Sequence, residues 1–288
     1  MATEIRVTSE SSSHYYTIGE HGPKAFYEVE YADKKRKGQY RSATIKDARK
    51  IGAFPSANQA LSRIAKPAIE NWKIAKYLEE ALTFPLGDRQ PADVIPEIME
   101  RVKEELDRAP SAGTDIHADI AGAASFLFDN VPYQPNPDVD PAIVAAAMGW
   151  CQEFEVAPEG IEEMLIDEYA GYGGRIDLYG SWRLDGELRA LVLDWKSQET
   201  TPGRKVNFWP DWPVVLAAYG NLALHEAEGG IAEEELDHVH VVLSRNEPGR
   251  IEHKVWPAET IQWAWELFMA DLNAWFVAKK YDPRKTPF

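Results

Sequence analysis

The chain has 288 residues, of which 44% are hydrophobic and 27% are charged, and its formal net charge is −16. This composition is typical of a folded protein with one large or two small domains, and it excludes fibrous and intrinsically disordered classes. The net charge argues against a protein coated in basic surface for binding nucleic acid.

Features of exported and membrane proteins are absent from the sequence. The N-terminal stretch MATEIRVTSESSSHYY lacks the basic-then-apolar layout of a signal peptide. No run approaches the roughly 18 consecutive apolar residues of a membrane helix, so we expect a cytoplasmic protein without membrane contact. The single cysteine, Cys151, excludes an intrachain disulfide and cannot supply the ligands of a typical zinc or iron–sulfur site.

The N-terminal third reads as a β-hairpin followed by helices. The stretch KAFYEVEYADKKRKGQYRSATI alternates polar and apolar residues around DKKRKG, which predicts a polar-tipped hairpin. The following SANQALSRIAKPAIENWKIAKYLEEAL has helical spacing interrupted at Pro67, so it predicts two helices or one broken helix. We therefore expect residues 1–90 to form a β-hairpin and helical extension.

Basic residues concentrate in this extension. Between Lys34 and Lys50, eight of seventeen residues are Lys or Arg, and Asp47 is the only acid. Such a cluster is either a solvated hairpin and helix face or a local phosphate-binding patch. On the second interpretation, the candidate DNA contacts at the hairpin tip are Lys34, Lys35, Arg36 and Lys37.

Three further helices are predicted in the middle of the chain. ADVIPEIMERVKEELDRA indicates one helix, and GTDIHADIAGAASFLF indicates a second that Thr114 could cap. The proline-rich NVPYQPNPDVDP then separates these two from a third, AIVAAAMGWCQEF.

From Ile161 the pattern changes to strands. EEMLIDEYA, GGRIDLYGSWRL and ELRALVLDWKS each predict a strand, and the helical PVVLAAYGNLALHEA follows. HVHVVLSR and RIEHKVW then predict a strand pair, and AETIQWAWELFMADLNAWFVAKK predicts a long final helix. This order is typical of an α/β fold in which helices flank one central mixed β-sheet.

The dipeptide Asp185-Gly186 lies between two apolar runs and predicts a type I′ hairpin turn. In the resulting register, Asp177 faces Asp194, and like charges placed there repel each other. Lys196 lies two residues beyond Asp194 and so projects from the same face. The register also places Lys196 opposite Arg175, so we expect the ladder to open or bulge there. Two acids and a lysine on one patch are either solvated surface or a divalent-metal site with an adjacent cation.

His117 shares a helix face with Ile120, Ala121 and Ala124. It is therefore either a histidine packed in the core or an additional metal ligand, one that suits Mn²⁺ better than Mg²⁺.

Taken in order, GTDIH, GGRID, DWK and a helix that carries Tyr219 resemble the RecB-like branch of the PD-(D/E)XK nucleases. The earlier FPSANQALSRIAKPAIENWKIAKYLEEA looks like the N-terminal region of phage-borne members, so the resemblance spans roughly residues 54–225. It implies a restriction-endonuclease-like core over residues 91–288, with the N-terminal β and α extension before it. It also implies that His117, Asp177 and Asp194 hold Mg²⁺ or Mn²⁺ and that Lys196, Asp177 and Asp194 are catalytic.

The chain departs from this family in several places. Relatives commonly carry Gln four residues before the tyrosine, whereas this chain has Val215, which puts a DNA-contacting role for that helix in doubt. Some relatives bind an iron–sulfur cluster, which the cysteine count excludes here. No GxxxxGK[ST] phosphate loop is present, so we expect a stand-alone nuclease without a nucleotide cofactor.

Other residues have weaker functional signals. Glu168, on the strand before Asp177, is either a water-mediated metal contact or a solvated residue. Ser197, Gln198 and Tyr219 could contact the substrate. Phe208, Trp209 and Trp212 either pack or form a platform on which unpaired bases stack, with Trp209 as the candidate DNA contact.

The function that the resemblance implies is a metal-dependent DNA exonuclease for phage or bacterial recombination, repair or replication. Its location would then be the bacterial host cytoplasm. A structure- or sequence-specific endonuclease and a catalytically silent nucleic-acid-binding protein are the alternatives. The acidic chain predicts modest, salt-sensitive DNA affinity. It also leaves room for a single-strand-binding or recombination protein as a partner.

Overall fold

The computed structural model describes residues 15–31, 34–63, 67–226 and 235–285. Its strands are β1 (Tyr15–Gly19), β2 (Gly22–Phe26), β3 (Glu28–Glu30), β4 (Tyr40–Ser42), β5 (Phe54–Pro55), β6 (Ala157–Asp167), β7 (Tyr172–Leu184), β8 (Glu187–Gln198), β9 (Leu236–Ser244) and β10 (Ile251–Val255). Its α-helices are α1 (Ile45–Ile51), α2 (Ala57–Ala60), α3 (Pro67–Thr83), α4 (Pro91–Asp129), α5 (Pro141–Glu153), α6 (Trp212–Glu226) and α7 (Ala258–Lys279).

Five strands form one mixed sheet in the order β10-β9-β8-β7-β6. β8 and β9 are parallel, and the other neighbouring pairs are antiparallel. The parallel pair requires a crossover, and α6 lies in the connection between its strands. The predicted α/β class with a central mixed sheet is therefore confirmed.

Helices pack on both faces of this sheet. Along β8, Leu191 and Leu193 belong to one hydrophobic cluster and Val192 to the other, because successive strand residues point to opposite faces. The first cluster includes buried residues of α4 and α5, and the second includes those of α6 and α7. The sheet is thus the middle layer of a helix–sheet–helix arrangement.

The β7–β8 hairpin turns at Asp185 and Gly186, as the sequence predicts. Their φ angles of 51° and 84° are both positive, which a type I′ turn requires. The register runs from Leu184–Glu187 to Leu178–Leu193 and ends there, so Asp177 and Asp194 occupy the first position beyond the ladder. The predicted opening is confirmed and begins two residues earlier than the Lys196–Arg175 position.

The described N-terminal residues pack onto the α6 and α7 side of the sheet. β3 and β4 form the predicted hairpin, while β2, β1 and β5 form a separate three-stranded sheet. Residues from Tyr15 to Leu61 contribute to the same hydrophobic cluster as α6 and α7. The predicted domain boundary at residue 90 stays a prediction. The interruption predicted at Pro67 is confirmed, because α2 ends at Ala60 and α3 begins at Pro67. Residues 64–66 lie outside the described residues.

The prediction of two helices between residues 92 and 128 is wrong. One 39-residue helix, α4, covers both segments, and Thr114 therefore lies inside it rather than at a cap. Pro110 removes a backbone donor, which costs about 3 kcal/mol in a helix interior. Buried side chains on both halves, such as Val102 and Ile120, anchor the helix and offset that cost. Among the described helices, none combines the length and apolar character needed to cross a membrane.

Candidate metal centre

A cleft of about 580 Å³ opens beside the end of the β7–β8 ladder. One wall comes from the sheet and the other from the N-terminal residues around α2. The cleft therefore brings together side chains that are far apart in sequence. Five residues predicted from the sequence line it: His117, Asp177, Asp194, Lys196 and Tyr219.

His117 and Asp177 form the first contact of the site. Because Ile116 and Ile120 are buried against the sheet, α4 holds the His117 ring beside β7, with Nδ1 3.4 Å from Asp177 Oδ2. The same oxygen accepts a hydrogen bond of 2.8 Å from the backbone N–H of Trp195. The Asp177 carboxylate thus accepts from a backbone N–H of β8 at the point where the β7–β8 ladder has ended. Burial lowers the pKa of His117, but the Asp177 carboxylate more than compensates, so the net shift is upward.

Glu162 is a member of the site that the sequence pattern did not predict. His117, Glu162 and Asp177 each offer a ligand atom, and these three atoms lie within 4.8 Å of one another. Glu162 has a φ of 51°, unusual for a residue other than glycine, and a register shift between Pro158 and Gly160 precedes it. Such local distortions are common at functional sites.

The surroundings of Glu162 shift the pKa of its carboxyl group. Burial, together with the Asp177 carboxylate, raises the pKa of Glu162 to about 7. Arg175 offsets part of that repulsion, with its Nε 2.7 Å from Glu162 Oε2. Two carboxylates this close repel each other when both are ionised. A bound divalent cation would offset that repulsion.

Asp194 lies in the same cleft with different partners. It is only 4% exposed, and its Oδ2 contacts Lys196 Nζ and lies 3.2 Å from His240 Nε2. Burial opposes ionisation of Asp194, but Lys196 and His240 outweigh it and hold the Asp194 pKa well below its usual range. Burial would lower the pKa of Lys196, whereas Asp194 and Asp177 raise it, so the ammonium stays protonated.

Tyr219 of α6 forms part of the cleft floor. Its hydroxyl lies 3.4 Å from the Asn58 amide nitrogen, which donates to it. Burial raises the pKa of Tyr219 well above its usual value, so the hydroxyl stays protonated and is able to donate a hydrogen bond. Val215, the departure from the family pattern, is partly buried and packs on the core.

Three other candidates lie outside the set of cleft-lining residues. Glu168 is exposed in the turn after β6, so its predicted position on the strand is wrong: the strand ends at Asp167. Ser197 and Gln198 are partly buried at the end of β8. The Gln198 side-chain amide donates to the Asn207 carbonyl oxygen at 3.2 Å, which braces the following loop.

The basic hairpin tip is also separate from the cleft lining. Lys35, Arg36 and Lys37 are exposed, and the Arg36 guanidinium lies 3.7 Å from the centre of the Tyr31 ring. The side chain of Lys34 lies outside the described residues. Within the cleft, Arg175 and Lys279 supply further positive charge.

The three aromatic residues before and within α6 divide into two kinds. Phe208 and Trp212 pack on the core with their ring centres 6.2 Å apart, and Lys196 Nζ lies 5.8 Å from the Trp212 ring. Trp209 is 36% exposed. The packing interpretation thus fits Phe208 and Trp212, and Trp209 keeps the surface that base stacking needs.

The donor set of the cluster fits a divalent cation. One imidazole and two carboxylates are ligands that Mn²⁺ accepts, and the carboxylates alone would suit Mg²⁺. The predicted set and the observed cluster share His117 and Asp177 and differ in the third member. Glu162 joins them, while Asp194 Oδ2 is engaged by Lys196 and His240.

No protein-family model matches the chain, and no curated protein matches it. One solved structure that is similar to this chain is the crystal structure of SSO0001. The similarity covers 70% of this chain and 86% of that one, with 17% sequence identity and a TM-score of 0.24.

Proposed function

We propose that this protein is a divalent-metal-dependent DNA exonuclease with a PD-(D/E)XK core of the RecB-like branch. The observation that carries the proposal is the convergence of His117 and Asp177 with the Asp194–Lys196 pair in one cleft. Glu162 completes a three-residue ligand cluster with His117 and Asp177. The sequence order of His117, Asp177, Asp194 and Lys196 resembles the family pattern. The two aspartates lie where the hairpin ladder opens.

Phosphodiester hydrolysis needs a nucleophile at neutral pH and compensation of the charge that develops on phosphate oxygens. A Mg²⁺ or Mn²⁺ ion, when bound, supplies both by lowering the pKa of a water ligand and by neutralising charge. His117, Glu162 and Asp177 would hold the ion. Asp194 lines the same cleft, and its second oxygen, Oδ1, is not the atom that contacts Lys196 and His240.

Lys196 acts as a cation in this scheme. Its raised pKa keeps the ammonium protonated at neutral pH, so it donates hydrogen bonds and does not accept a proton from water. Such a group orients the attacking water or offsets the developing phosphate charge. Asp194 Oδ2 contacts the ammonium and keeps it in place.

The wall opposite the acids is suited to a phosphate backbone. Ser56, Asn58 and Gln59 supply neutral polar groups there, and Lys279 and, from the sheet, Arg175 add positive charge to the cleft. Hydroxyl, amide and cationic side chains are the groups that commonly contact DNA phosphates. The chain as a whole is acidic, so we expect modest affinity that falls with salt. A single-strand-binding or recombination protein in the host cytoplasm could deliver the substrate.

One assay tests the proposal and separates it from its alternatives. Purified protein is incubated with Mn²⁺ and end-labelled linear DNA, single-stranded and double-stranded, beside a closed circle. We expect loss of the linear DNA alone, and no loss with Lys196→Ala, while Glu168→Gln serves as a matched surface control. Cleavage of the circle would indicate an endonuclease instead. Binding without cleavage by the unmodified protein would indicate a catalytically silent protein and contradict the proposal.

A further inference from the structure

Two buried side chains, His240 and Trp256, stand in line behind Asp194. His240, on β9, is the register partner of Asp194 across the parallel β8–β9 pair, and its ring is fully buried. Its Nε2 lies 3.2 Å from Asp194 Oδ2, and its Nδ1 lies 2.8 Å from Trp256 Nε1. Neither His240 nor Trp256 is among the site residues predicted from the sequence.

The partners of His240 determine which ring nitrogen carries its proton. An indole N–H can only donate, so His240 Nδ1 must accept from Trp256. A neutral imidazole with an accepting Nδ1 carries its proton on Nε2, the atom that lies 3.2 Å from Asp194 Oδ2. Neither of these two buried atoms has a hydrogen bond of good geometry to the described residues, so each is available to the other. Burial, the largest effect, lowers the pKa of His240, in agreement with a neutral ring. The Trp212 ring, 5.1 Å away centre to centre, packs against the imidazole and restricts its rotation.

We propose that His240, oriented by Trp256, donates its Nε2 proton to Asp194 and is thereby a positioning residue for the reaction: this hydrogen-bond chain fixes the Asp194 carboxylate and, through it, the Lys196 ammonium. This inference rests on the proposed nuclease function. Lys196 Nζ and His240 Nε2 both lie against Asp194 Oδ2. Without the histidine, only the lysine contact would define the rotation of the carboxylate. Lys196 would then be less well ordered where the charge develops. The expected effect is on kcat rather than on KM.

His238 provides an internal reference for the tautomer. Its Nδ1 lies 3.1 Å from the carbonyl oxygen of Leu236, which can only accept, so His238 must carry its proton on Nδ1. Burial lowers the pKa of His238 to about 4, so this ring is neutral as well. Two buried histidines on one strand are therefore expected to hold opposite tautomers.

Nitrogen NMR of the full chain labelled at histidine tests the hydrogen-bond chain without any activity. We expect His240 to be protonated at Nε2 and His238 at Nδ1. Trp256→Phe removes only the indole donor, and we expect it to release His240 from this single tautomer. A proton on His240 Nδ1 in the unmodified protein would overturn the proposal, whether or not the protein hydrolyses DNA.

Kinetics test the positioning role. A hydrogen bond to a charged group is stronger than one between neutral groups, so its loss should be visible in the rate. We expect His240→Ala to lower kcat by about tenfold or more and to change KM by less than about threefold. His240→Gln, whose amide can donate to Asp194, should recover part of the loss. Trp150→Phe is the matched control, because Trp150 donates to His253 Nδ1 at 3.2 Å and is not among the cleft-lining residues. Equal kcat values for His240→Ala and the unmodified protein would refute the role.

If neither the unmodified protein nor any variant hydrolyses DNA, the proposed function fails, and the NMR result still tests the hydrogen-bond chain.

Discussion

Glu162 and Asp177 occupy opposing positions on β6 and β7, between the pairs Ile161–Leu178 and Glu163–Ile176. Their carboxylates, with His117, bring ligand atoms within 4.8 Å of one another. Facing like charges destabilise a strand pair, so this arrangement needs compensation. Arg175 supplies part of it through Glu162, and a divalent cation would supply more.

Replacing Glu162 with Gln should weaken metal binding. The substitution removes one anionic ligand and keeps the side-chain volume, so we expect Mn²⁺ affinity to fall by about ten- to a hundredfold. Isothermal titration calorimetry with Mn²⁺ measures this change. Glu168→Gln is the control, because Glu168 is exposed in a turn and should leave the affinity unchanged. Equal affinities for the two variants would exclude Glu162 as a ligand.

The pKa of Glu162 predicts a pH dependence of stability in the metal-free protein. The folded-state pKa is raised from 4.5 to about 7, so the unfolded chain releases this proton first as the pH rises. The free energy of unfolding should therefore fall between about pH 4.5 and 7, relative to a protein that lacks this group. Urea unfolding of unmodified protein and Glu162→Gln across this range, with chelator present, measures the difference. Parallel stability curves would show that the Glu162 pKa is not raised.

Lys196→Ala should abolish turnover while leaving Mn²⁺ binding detectable, because Lys196 is a cation beside the ligand cluster and not a ligand. The substitution also strips the buried Asp194 carboxylate of its ammonium partner, which should cost about 3 kcal/mol of stability. Activity, Mn²⁺ titration and urea unfolding on one preparation separate the two effects. Lys279→Ala, at another cleft cation, should raise KM with little change in kcat. Normal turnover in Lys196→Ala would end the nuclease assignment.

The sequence predicted the half of the site that local rules determine. The Asp185-Gly186 turn defines the β7–β8 register without any tertiary information, and so it placed Asp177 and Asp194 at the same level. The apolar face of α4 likewise indicated that His117 points inward, as its neighbour Ile120 does. Periodicity thus predicted the five strands of the central sheet and most of the helices, but not the three-stranded sheet of β2, β1 and β5.

Long-range pairing determined the other half. The β6–β7 turn is longer and lacks an Asn-Gly or Asp-Gly signal, and the irregularity before Glu162 changes the register, so no sequence rule placed this acid opposite Asp177. The partnership of Asp194 with His240 depends on a parallel pair whose strands are joined through α6. The continuity of α4 through Pro110 also came from tertiary packing rather than helix propensity.

Trp209 offers a test of single-strand binding. If its exposed ring stacks on an unpaired base, Trp209→Ala should weaken single-stranded DNA binding by about 1 to 3 kcal/mol and duplex binding by less. Fluorescence anisotropy measures both affinities in the Lys196→Ala background, which we expect to bind DNA without cleaving it. Trp263→Ala, at a more exposed tryptophan of α7, is the matched control and should change neither affinity. Equal losses on both substrates with Trp209→Ala would indicate packing instead of stacking.

Changing the turn that sets the hairpin register should affect the stability of the protein and leave metal affinity nearly unchanged. An added Cβ at Gly186 meets no atom within 4 Å, so Gly186→Ala is expected to destabilise only through its φ of 84°, by roughly 1 to 2 kcal/mol. Gly149, inside α5, also has open space around it, so Gly149→Ala should stabilise by up to about 1 kcal/mol. Urea unfolding measures both changes, which should have opposite signs. Because seven paired positions separate the turn from the open end, Mn²⁺ affinity should stay within about twofold in Gly186→Ala. A larger loss of affinity would mean that the turn controls the spacing of the acids directly, and not only their register.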